Sequence, residues 1–167
     1  MAPPNAYQSL AIRQATREDV PLILSFIKEL ADYERLAHEV VASEDILEET
    51  LFGERAYAEV LIAFESGEPA GYALFFHSFS TFLGRPGIYL EDLYVRPSRR
   101  GKGIGKALLS RVARIANERT CGRLEWAVLN WNEPSISFYE SLGAIPMNEW
   151  TVFRLTGDTL ARLASGG

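Results

Sequence analysis

The stretch RRGKGIGK at residues 99–106 decides how the rest of the chain is interpreted. It follows an apolar run that ends at Val95, and it leads into residues 103–119, whose apolar side chains recur at helical spacing. The N–H groups at the start of a helix are unpaired and bind phosphates, and glycines let the backbone approach an anion closely. Because arginines and lysines flank these glycines, the segment predicts a site for a phosphate-rich ligand.

Two familiar phosphate-binding loops do not match this segment. Gly105 and Lys106 supply the end of a Walker A loop, but Arg100 and Ala107 replace its first glycine and its Ser/Thr. The dinucleotide fingerprint G-x-G-x-x-G begins at Gly101 and fails at Lys106, where a third glycine is required. The ligand is therefore not identified by either loop.

Outward from this segment, the chain alternates between strand-like and helix-like patterns. The N-terminal half predicts strands at 9–14, 57–65, 71–79 and 88–95, and helices at 17–35 and after Ser43. The C-terminal half predicts a helix at 103–119, a strand at 123–129, a helix at 133–142, a strand at 145–155 and a helical turn at 158–164. This order indicates the fold class α/β (α+β), with a mostly antiparallel first half and a βαβ-like second half.

Length and composition suit a folded soluble domain. The chain has 167 residues, and we expect one domain at 9–164 after a flexible segment at 1–8. With 47% hydrophobic and 23% charged residues, it is not a disordered chain, a collagen or a disulfide scaffold. One cysteine and two histidines leave little room for a metal site, so no metal is expected. No signal peptide or membrane-spanning run is found, and we expect a cytoplasmic protein without a membrane partner.

Charged residues are unevenly distributed along the chain. The formal net charge of −5 argues against a nucleic-acid-binding protein. Acids predominate between Lys28 and Glu54, whereas bases predominate between Arg96 and Arg123. Two solvated surfaces would explain this distribution, and so would an acidic site for a cation and a basic site for an anion.

Four stretches carry a resemblance to the GNAT superfamily of acyl-CoA-dependent N-acetyltransferases. They are FIKELADYE at 26–34, YLEDLYV at 89–95, RGKGIG at 100–105 and WNEPSISFY at 131–139. The superfamily signature [Q/R]-x-x-G-x-[G/A] is met by Arg100, Gly103 and Gly105. The other stretches make the chain similar to the spermidine/spermine (diamine) and thialysine acetyltransferase branch. The resemblance implies a GNAT fold, in which a central mixed, mostly antiparallel sheet is flanked by helices and two strands splay apart at the acetyl-CoA site.

The resemblance also implies acetyl-CoA as cosubstrate. In such enzymes the glycine-rich loop holds the CoA pyrophosphate, nearby bases contact the 3′-phosphate, and the end of the preceding strand pairs with the pantetheine arm. An Asn and a Ser at the start of the next helix complete the site. The residues carried over are Leu93, Tyr94, Val95, Arg99, Arg100, Gly101, Lys102, Gly103, Ile104, Gly105, Lys106, Asn132 and Ser135.

Acetyl transfer needs a base for the ammonium group and an acid for the leaving thiolate. If Asn132 caps its helix, Tyr139 lies two turns further along the same face. The resemblance implies that Tyr139 is the general acid and that Glu91 accepts the amine proton through water. Neither role requires a covalent nucleophile, because the amine attacks the thioester directly.

The acceptor site is expected to be acidic, because a polyamine or a lysine-like side chain is a cation. The resemblance implies that Glu29, Glu34, Glu91 and Asp92 bind this acceptor, and it leaves the contributions of Asp32 and Glu149 open. Glu91 and Asp92 are adjacent in a strand, where neighbouring side chains face opposite sides of a sheet, so they are not expected to act at one point.

The sequence thus predicts an enzyme that acetylates a primary amine of a polyamine or diamine by direct attack on acetyl-CoA. The first alternative is the side-chain amine of an amino acid such as thialysine or lysine, whose carboxylate Arg85 could bind. A protein amine is a further alternative, and a CoA-binding module without turnover is less favoured. The resemblance also implies a homodimer.

Overall fold

Residues 10–166 are described by the computed structural model, and the flexible segment expected at 1–8 lies outside them. The chain divides into two compact units, one that ends at Ala127 and one that begins at Val128. The first unit contains a five-stranded sheet, whereas the second contains two helices. No helix in residues 10–166 is long and apolar enough to cross a membrane.

The order of the five strands across the sheet of the first unit is the same as their order along the chain. They are Leu10–Gln14 (β1), Glu59–Glu65 (β2), Glu68–Ser80 (β3), Arg85–Val95 (β4) and Leu124–Trp126 (β5). Strands β1 to β4 pair antiparallel, and β5 joins β4 in parallel. Between β2 and β3, Ser66 and Gly67 both have positive φ, which suits the two-residue hairpin turn that fits the twist of a sheet. The predicted mixed, mostly antiparallel sheet is confirmed.

Three helices of the first unit flank this sheet: Val20–Tyr33 (α1), Glu44–Phe52 (α2) and Ile104–Glu118 (α3). The second unit contains Glu133–Ser141 (α4) and Gly157–Ala164 (α5). Helices α1 and α2 pack on the face that carries Ile62 and Tyr72, and α3 lies against the opposite face, which carries Leu61 and Phe75.

The core between α1 and the sheet is built around Phe26. Its ring is fully buried and stacks on the ring of Tyr72, with centroids 5.2 Å apart and an interplanar angle of 6°. Ile23 and Ile62 are also fully buried in this layer. The apolar residues of α1, which recur at helical spacing, therefore pack against the apolar face of the sheet and form one continuous core.

Asp19 immediately precedes α1 and connects the start of this helix to β1. Its carboxylate accepts hydrogen bonds from both terminal nitrogens of Arg13, at 2.7 and 2.8 Å, and from the backbone N–H of Thr16 at 2.7 Å. The hydrogen bond from Arg13 outweighs burial and lowers the pKa of Asp19 to about 2.

We expect the free energy of unfolding to decrease as the pH falls from 4 towards 2, partly because of Asp19. Its folded-state pKa is below its ordinary value, so the stabilisation is present above that ordinary value and is lost as the carboxylate is protonated. Urea unfolding of the wild type and of Asp19→Asn at pH 2 to 7 measures this contribution. The difference in free energy between the two should shrink towards pH 2, and a constant difference would contradict the prediction.

Two predicted strands differ from the structure. The strand expected at 123–129 is shorter, Leu124–Trp126, and the strand expected at 145–155 is absent from this structure. Backbone N–H and C=O groups need a neighbouring strand to form a ladder, and residues 128–166 contain only helices as regular elements. The apolar alternation at 145–155 leaves Trp150, Val152 and Phe153 exposed.

Candidate active site

The glycine-rich loop is open at the beginning of α3. Gly101 and Gly103 have φ of 76° and 79°, in the left-handed region that favours glycine, and nothing lies within 4 Å of the position of a Cβ at either residue. Gly103 is the N-cap of α3 and has no side chain to cap it. The N–H groups of the first turn therefore lack an intrahelical partner and can bind an anion.

The bases around this loop are already engaged. Arg99 and Lys102 pair with the same carboxylate of Glu65, at 2.6 and 2.9 Å, and these contacts lower the pKa of Glu65. The guanidinium of Arg100 lies 4.6 Å from the ring centre of Tyr33. Any phosphate at Arg99 or Lys102 would compete with Glu65 for these cations.

Within residues 10–166, no strand pairs with the part of β4 next to the loop on the side where β5 lies. The pairing of β4 with β5 covers Ile88 to Leu90, whereas β4 continues to Val95. Leu93, Tyr94 and Val95 therefore extend beyond β5, as expected for an edge that pairs with an extended ligand. One group on this segment is occupied, because the carbonyl oxygen of Val95 accepts a hydrogen bond from Nε of Arg100 over 2.8 Å.

A bulge in β4 includes Glu91 next to Asp92, and the charge of Glu91 contributes to the raised pKa of Asp92. Leu74 pairs with Asp92 and the next residue of β3 pairs with Leu90, so Glu91 is the extra residue. This interrupts the strict alternation that the sequence argument assumed. Asp92 is half-buried and accepts a hydrogen bond from the Tyr72 hydroxyl over 2.6 Å, whereas Glu91 is exposed.

The carboxylate of Glu34 belongs to the same region. Glu34 follows the last residue of α1, and burial followed by repulsion from Asp92 raises its pKa. Burial is also the main cause of the raised pKa of Asp92. Within residues 10–166, neither carboxylate forms an ion pair, so both would be stabilised by a cation.

Glu29 lies in a different environment. It accepts hydrogen bonds from Arg96 at 2.8 and 3.1 Å and from Ser25 at 3.0 Å, and the Arg96 contact lowers its pKa. Its charge is therefore already neutralised by a guanidinium. Asp32 is exposed on the same helix. Of the acids predicted for the acceptor, the structure brings together Glu34, Asp92 and Glu91.

Helix α4 belongs to the C-terminal unit and carries the predicted acid. The Asn132 side chain caps it by accepting a hydrogen bond from the N–H of Ser135 over 3.4 Å, and Asn132 is 5% exposed. Tyr139 lies two turns later and is half-buried, with its ring 5.3 Å from that of Phe138. The predicted cap is confirmed. Glu149 is exposed in the same unit.

Comparison with known proteins identifies the family. Residues 24–144 match the model of the acetyltransferase (GNAT) family, which is more than half of the chain. The chain belongs to the GNAT acetyltransferase family. Among curated proteins, it is 41% identical over 164 residues to the thialysine N-epsilon-acetyltransferase of Bos taurus, with 92% of this chain and 96% of that protein covered.

One further relative and one solved structure are also similar to the chain. It is 34% identical to the L-ornithine N5-acetyltransferase of Arabidopsis thaliana, over 89% of this chain and 85% of that protein. Among solved structures, a V. cholerae integron cassette protein is similar, with a TM-score of 0.78 and 32% identity over 93% of this chain and 98% of that one. This GNAT chain is therefore an N-acetyltransferase that uses acetyl-CoA as cosubstrate, and the resemblance to the diamine and thialysine branch is confirmed.

The residues of this GNAT enzyme fit its cosubstrate. The open backbone at Gly101 and Gly103 leaves room for a pyrophosphate, which a side chain at either position would restrict. In the part of the chain that the structure describes, no group of three or more His, Cys, Asp or Glu side chains is arranged to hold a metal ion.

Sequence reasoning missed Tyr72 and Glu65. Tyr72 carries a hydroxyl group within the apolar strand β3. Because a buried tyrosine hydroxyl usually has a hydrogen-bond partner, this residue could have been predicted to contact a polar group. Glu65 ends β2, and nothing in its local sequence indicates that it meets Arg99 and Lys102. Both contacts join residues that are far apart in the sequence.

Proposed function

We propose that this GNAT enzyme acetylates the terminal primary amine of a small cationic acceptor. The observation that carries the proposal is the pair of half-buried carboxylates of Glu34 and Asp92, whose pKa values burial raises. An ammonium group between them would replace repulsion with attraction. Glu91, which is exposed, adds a third carboxylate, and its charge contributes to the raised pKa of Asp92.

The acceptor we favour is an amino acid with a terminal side-chain amine, such as thialysine, ornithine or lysine. Two of the relatives are named for thialysine and for L-ornithine, and both compounds have an amine at the end of a flexible chain. Polyamines and diamines are the second candidate, which is supported by 33% identity to the human spermidine/spermine N(1)-acetyltransferase-like protein 1. All these acceptors share the cation that the acidic site requires.

In the proposed reaction, the neutral amine attacks the thioester carbonyl. The new C–N bond forms, the C–S bond breaks, and the acetyl group leaves CoA as an amide of the acceptor. Glu91 takes the first proton of the ammonium group through water before the attack. Tyr139 gives a proton to the leaving thiolate, and the second proton, which the nitrogen loses as the amide forms, passes through water to the Tyr139 phenolate. A phenol, with a reference pKa near 10, is suited to protonate a thiolate, whose reference pKa is near 8.5.

In the first unit, the proposed acetyl-CoA site consists of the glycine-rich loop, the edge of β4 and the bases beside the loop. Backbone N–H groups of residues 101–106 hold the pyrophosphate, and the edge of β4 at residues 93–95 pairs with the pantetheine arm. For Asn132 and Ser135, in the second unit, contact with the cosubstrate is what the family resemblance implies. Arg99, Arg100 and Lys102 contact the 3′-phosphate, for which two of them must leave Glu65.

We also propose that the enzyme is a cytoplasmic homodimer. Support comes from the C-terminal unit, in which Met147, Trp150 and Phe153 are 62%, 72% and 91% exposed. Apolar side chains at this exposure favour contact with another surface. Sedimentation velocity with the purified chain tests the dimer, and a monomer at micromolar concentration would contradict it.

The experiment that tests the function is release of CoA from acetyl-CoA with a panel of amines. The panel contains thialysine, ornithine, lysine, putrescine, spermidine, spermine and a lysine-containing peptide. We expect the highest kcat/KM with the amino acids, lower values with the polyamines, and little turnover with the peptide. Mass spectrometry of the product identifies which nitrogen is acetylated.

The outcomes of this panel separate the candidates. Preference for spermidine or putrescine would replace the amino-acid acceptor with a polyamine. Preference for the peptide would indicate a protein acetyltransferase. Tight binding of acetyl-CoA without turnover of any amine would contradict the proposal and favour a CoA-binding module. Acetylation of Nα-acetylthialysine methyl ester serves as a control, because this compound retains the terminal amine but lacks the α-ammonium group and the α-carboxylate.

A further inference from the structure

The hydroxyl of Tyr72 contacts a carboxylate of the proposed acceptor site. Tyr72 is fully buried in β3, and its hydroxyl donates a hydrogen bond to Oδ2 of Asp92 over 2.6 Å. We infer that Tyr72 is a positioning residue, which orients Asp92 and stabilises its ionised form so that Oδ1 accepts the ammonium group of the acceptor. This inference rests on the proposed function.

The ring of Tyr72 is held by the core. It stacks on Phe26 at 5.2 Å, and Phe26 meets the edge of Tyr94 at 6.3 Å with an interplanar angle of 62°. The guanidinium of Arg96 lies 4.9 Å from the centre of the Phe26 ring. A fully buried aromatic ring in such packing has little rotamer freedom, so the core fixes the direction of the hydroxyl.

The sheet aligns this hydroxyl with Asp92. Tyr72 pairs with Tyr94, and Leu74, two residues further along β3, pairs with Asp92. Tyr72, Tyr94 and Asp92 therefore lie on the face of the sheet that α1 covers. Glu34, at the end of α1, approaches Asp92 from the helix side, where it raises the pKa of Tyr72 as well.

Burial and neighbouring carboxylates disfavour the ionised form of Asp92, and Tyr72 opposes them. Burial raises the pKa of Tyr72 well above its ordinary value, so the phenol keeps its proton and acts as a donor. Burial and Glu91 raise the pKa of Asp92, whereas the hydrogen bond from Tyr72 lowers it. Glu34 on α1 and Glu91 on β4 are carboxylates. Among the described residues, the hydrogen bond from Tyr72 is therefore the contact that favours the charged form of Asp92.

The hydrogen bond leaves part of the carboxylate for a ligand. It involves Oδ2 of Asp92, and no hydrogen bond from residues 10–166 reaches Oδ1. A carboxylate has about four lone-pair sites, so it can bind the phenol and an ammonium group together. In this arrangement the Asp92 carboxylate has a fixed position, so it selects acceptors by the distance of their ammonium group from the rest of the molecule. Tyr72 thereby contributes to acceptor specificity.

The test compares Tyr72→Phe with the wild type. The variant retains the ring and its stack on Phe26 and removes the hydroxyl. We expect the KM for the preferred amine to rise about tenfold, with an unchanged KM for acetyl-CoA, because a hydrogen bond to a charged group is lost. The acidic limb of the pH profile of kcat/KM should move to higher pH, because Asp92 loses the contact that lowers its pKa. Tyr57→Phe is the matched control, since Tyr57 is 61% exposed.

A second variant shows whether Tyr72 acts through Asp92. In an Asp92→Asn background, Tyr72→Phe should change the amine KM by less than twofold, because the carboxylate that it positions is absent. An equal effect in both backgrounds would overturn the inference, as would a Tyr72→Phe enzyme with wild-type KM and acidic limb. A parallel rise in the KM of acetyl-CoA would indicate a structural role and would also overturn it.

The failure of this inference is distinguishable from failure of the proposed function. A wild-type enzyme that acetylates the amine while Tyr72→Phe behaves identically overturns only the role of Tyr72. A wild-type enzyme that acetylates no amine in the panel overturns the proposed function and, with it, the role of Tyr72 in positioning Asp92 for the acceptor. Carbon-13 NMR titration of the Asp92 carboxyl then still measures whether Tyr72→Phe raises its pKa.

Discussion

Replacing Tyr139 with phenylalanine is expected to lower kcat about a hundredfold, which is the lower end of the contribution of a positioned general acid. The substitution removes the hydroxyl and keeps the aromatic ring that lies 5.3 Å from Phe138. Without an acid, the thiolate must leave unprotonated or take its proton from water. Steady-state rates of CoA release with saturating amine measure the effect.

The dissociation constant of acetyl-CoA separates this role from a structural one. We expect calorimetry to give the same value for Tyr139→Phe as for the wild type, because Asn132 and its cap at the start of α4 are retained. The capping variant Asn132→Ala is the counterpart, in which acetyl-CoA binding and helix stability should both weaken. An unchanged kcat in Tyr139→Phe would show that another group, or water, protonates the thiolate.

Local signals in the sequence predicted the glycine-rich turn before α3 and the cap of α2. A glycine-rich turn followed by a helix at 103–119 was predicted, and the structure has positive φ at Gly101 and Gly103 and a helix that begins at Ile104. Ser43 caps α2 by accepting a hydrogen bond from the N–H of Ile46 over 3.3 Å, as its position before an apolar pattern indicated. These features depend on residues within one or two turns of each other, so the sequence contains the whole of the signal.

Contacts between distant residues were beyond the sequence. Glu29 was predicted to bind the acceptor, yet its partner Arg96 lies 67 residues away in the sequence. The two meet where α1 packs on the face of the sheet that carries Tyr94. The bulge at Glu91 was equally hidden, because a one-residue change of register does not alter the apolar pattern of β4. The expected position of a carboxylate therefore depends on strand pairing, which a single sequence does not specify.

The strand predicted at 145–155 shows a different limit. Alternating apolar residues are compatible with a strand, but a strand forms only where another strand offers hydrogen-bond partners. Residues 128–166 provide α4 and α5 and no strand, so the alternation remains an exposed apolar segment. Alternation of apolar residues thus indicates that a segment can form a strand, but whether it does depends on a neighbouring strand elsewhere in the chain.

Replacing Phe26 with alanine is expected to lower the free energy of unfolding by about 3–5 kcal/mol. Phe26 is fully buried and makes ring contacts with Tyr72 and Tyr94, in addition to the guanidinium of Arg96 at 4.9 Å. Alanine would leave a cavity between α1 and the sheet that neighbouring side chains fill only in part. Urea unfolding followed by circular dichroism measures the loss, and thermal unfolding should shift by roughly 10 °C.

The matched variant for this prediction is Phe26→Leu, which keeps most of the apolar volume and removes the aromatic stack. We expect it to lose well under half of the free energy that Phe26→Ala loses, because cavity size dominates the penalty. Its amine KM should nevertheless rise, since Tyr72 would lose the ring that fixes its hydroxyl towards Asp92. A loss below about 1 kcal/mol in Phe26→Ala would contradict a core built around this ring. A normal amine KM in Phe26→Leu would show that β3 alone holds Tyr72 in place.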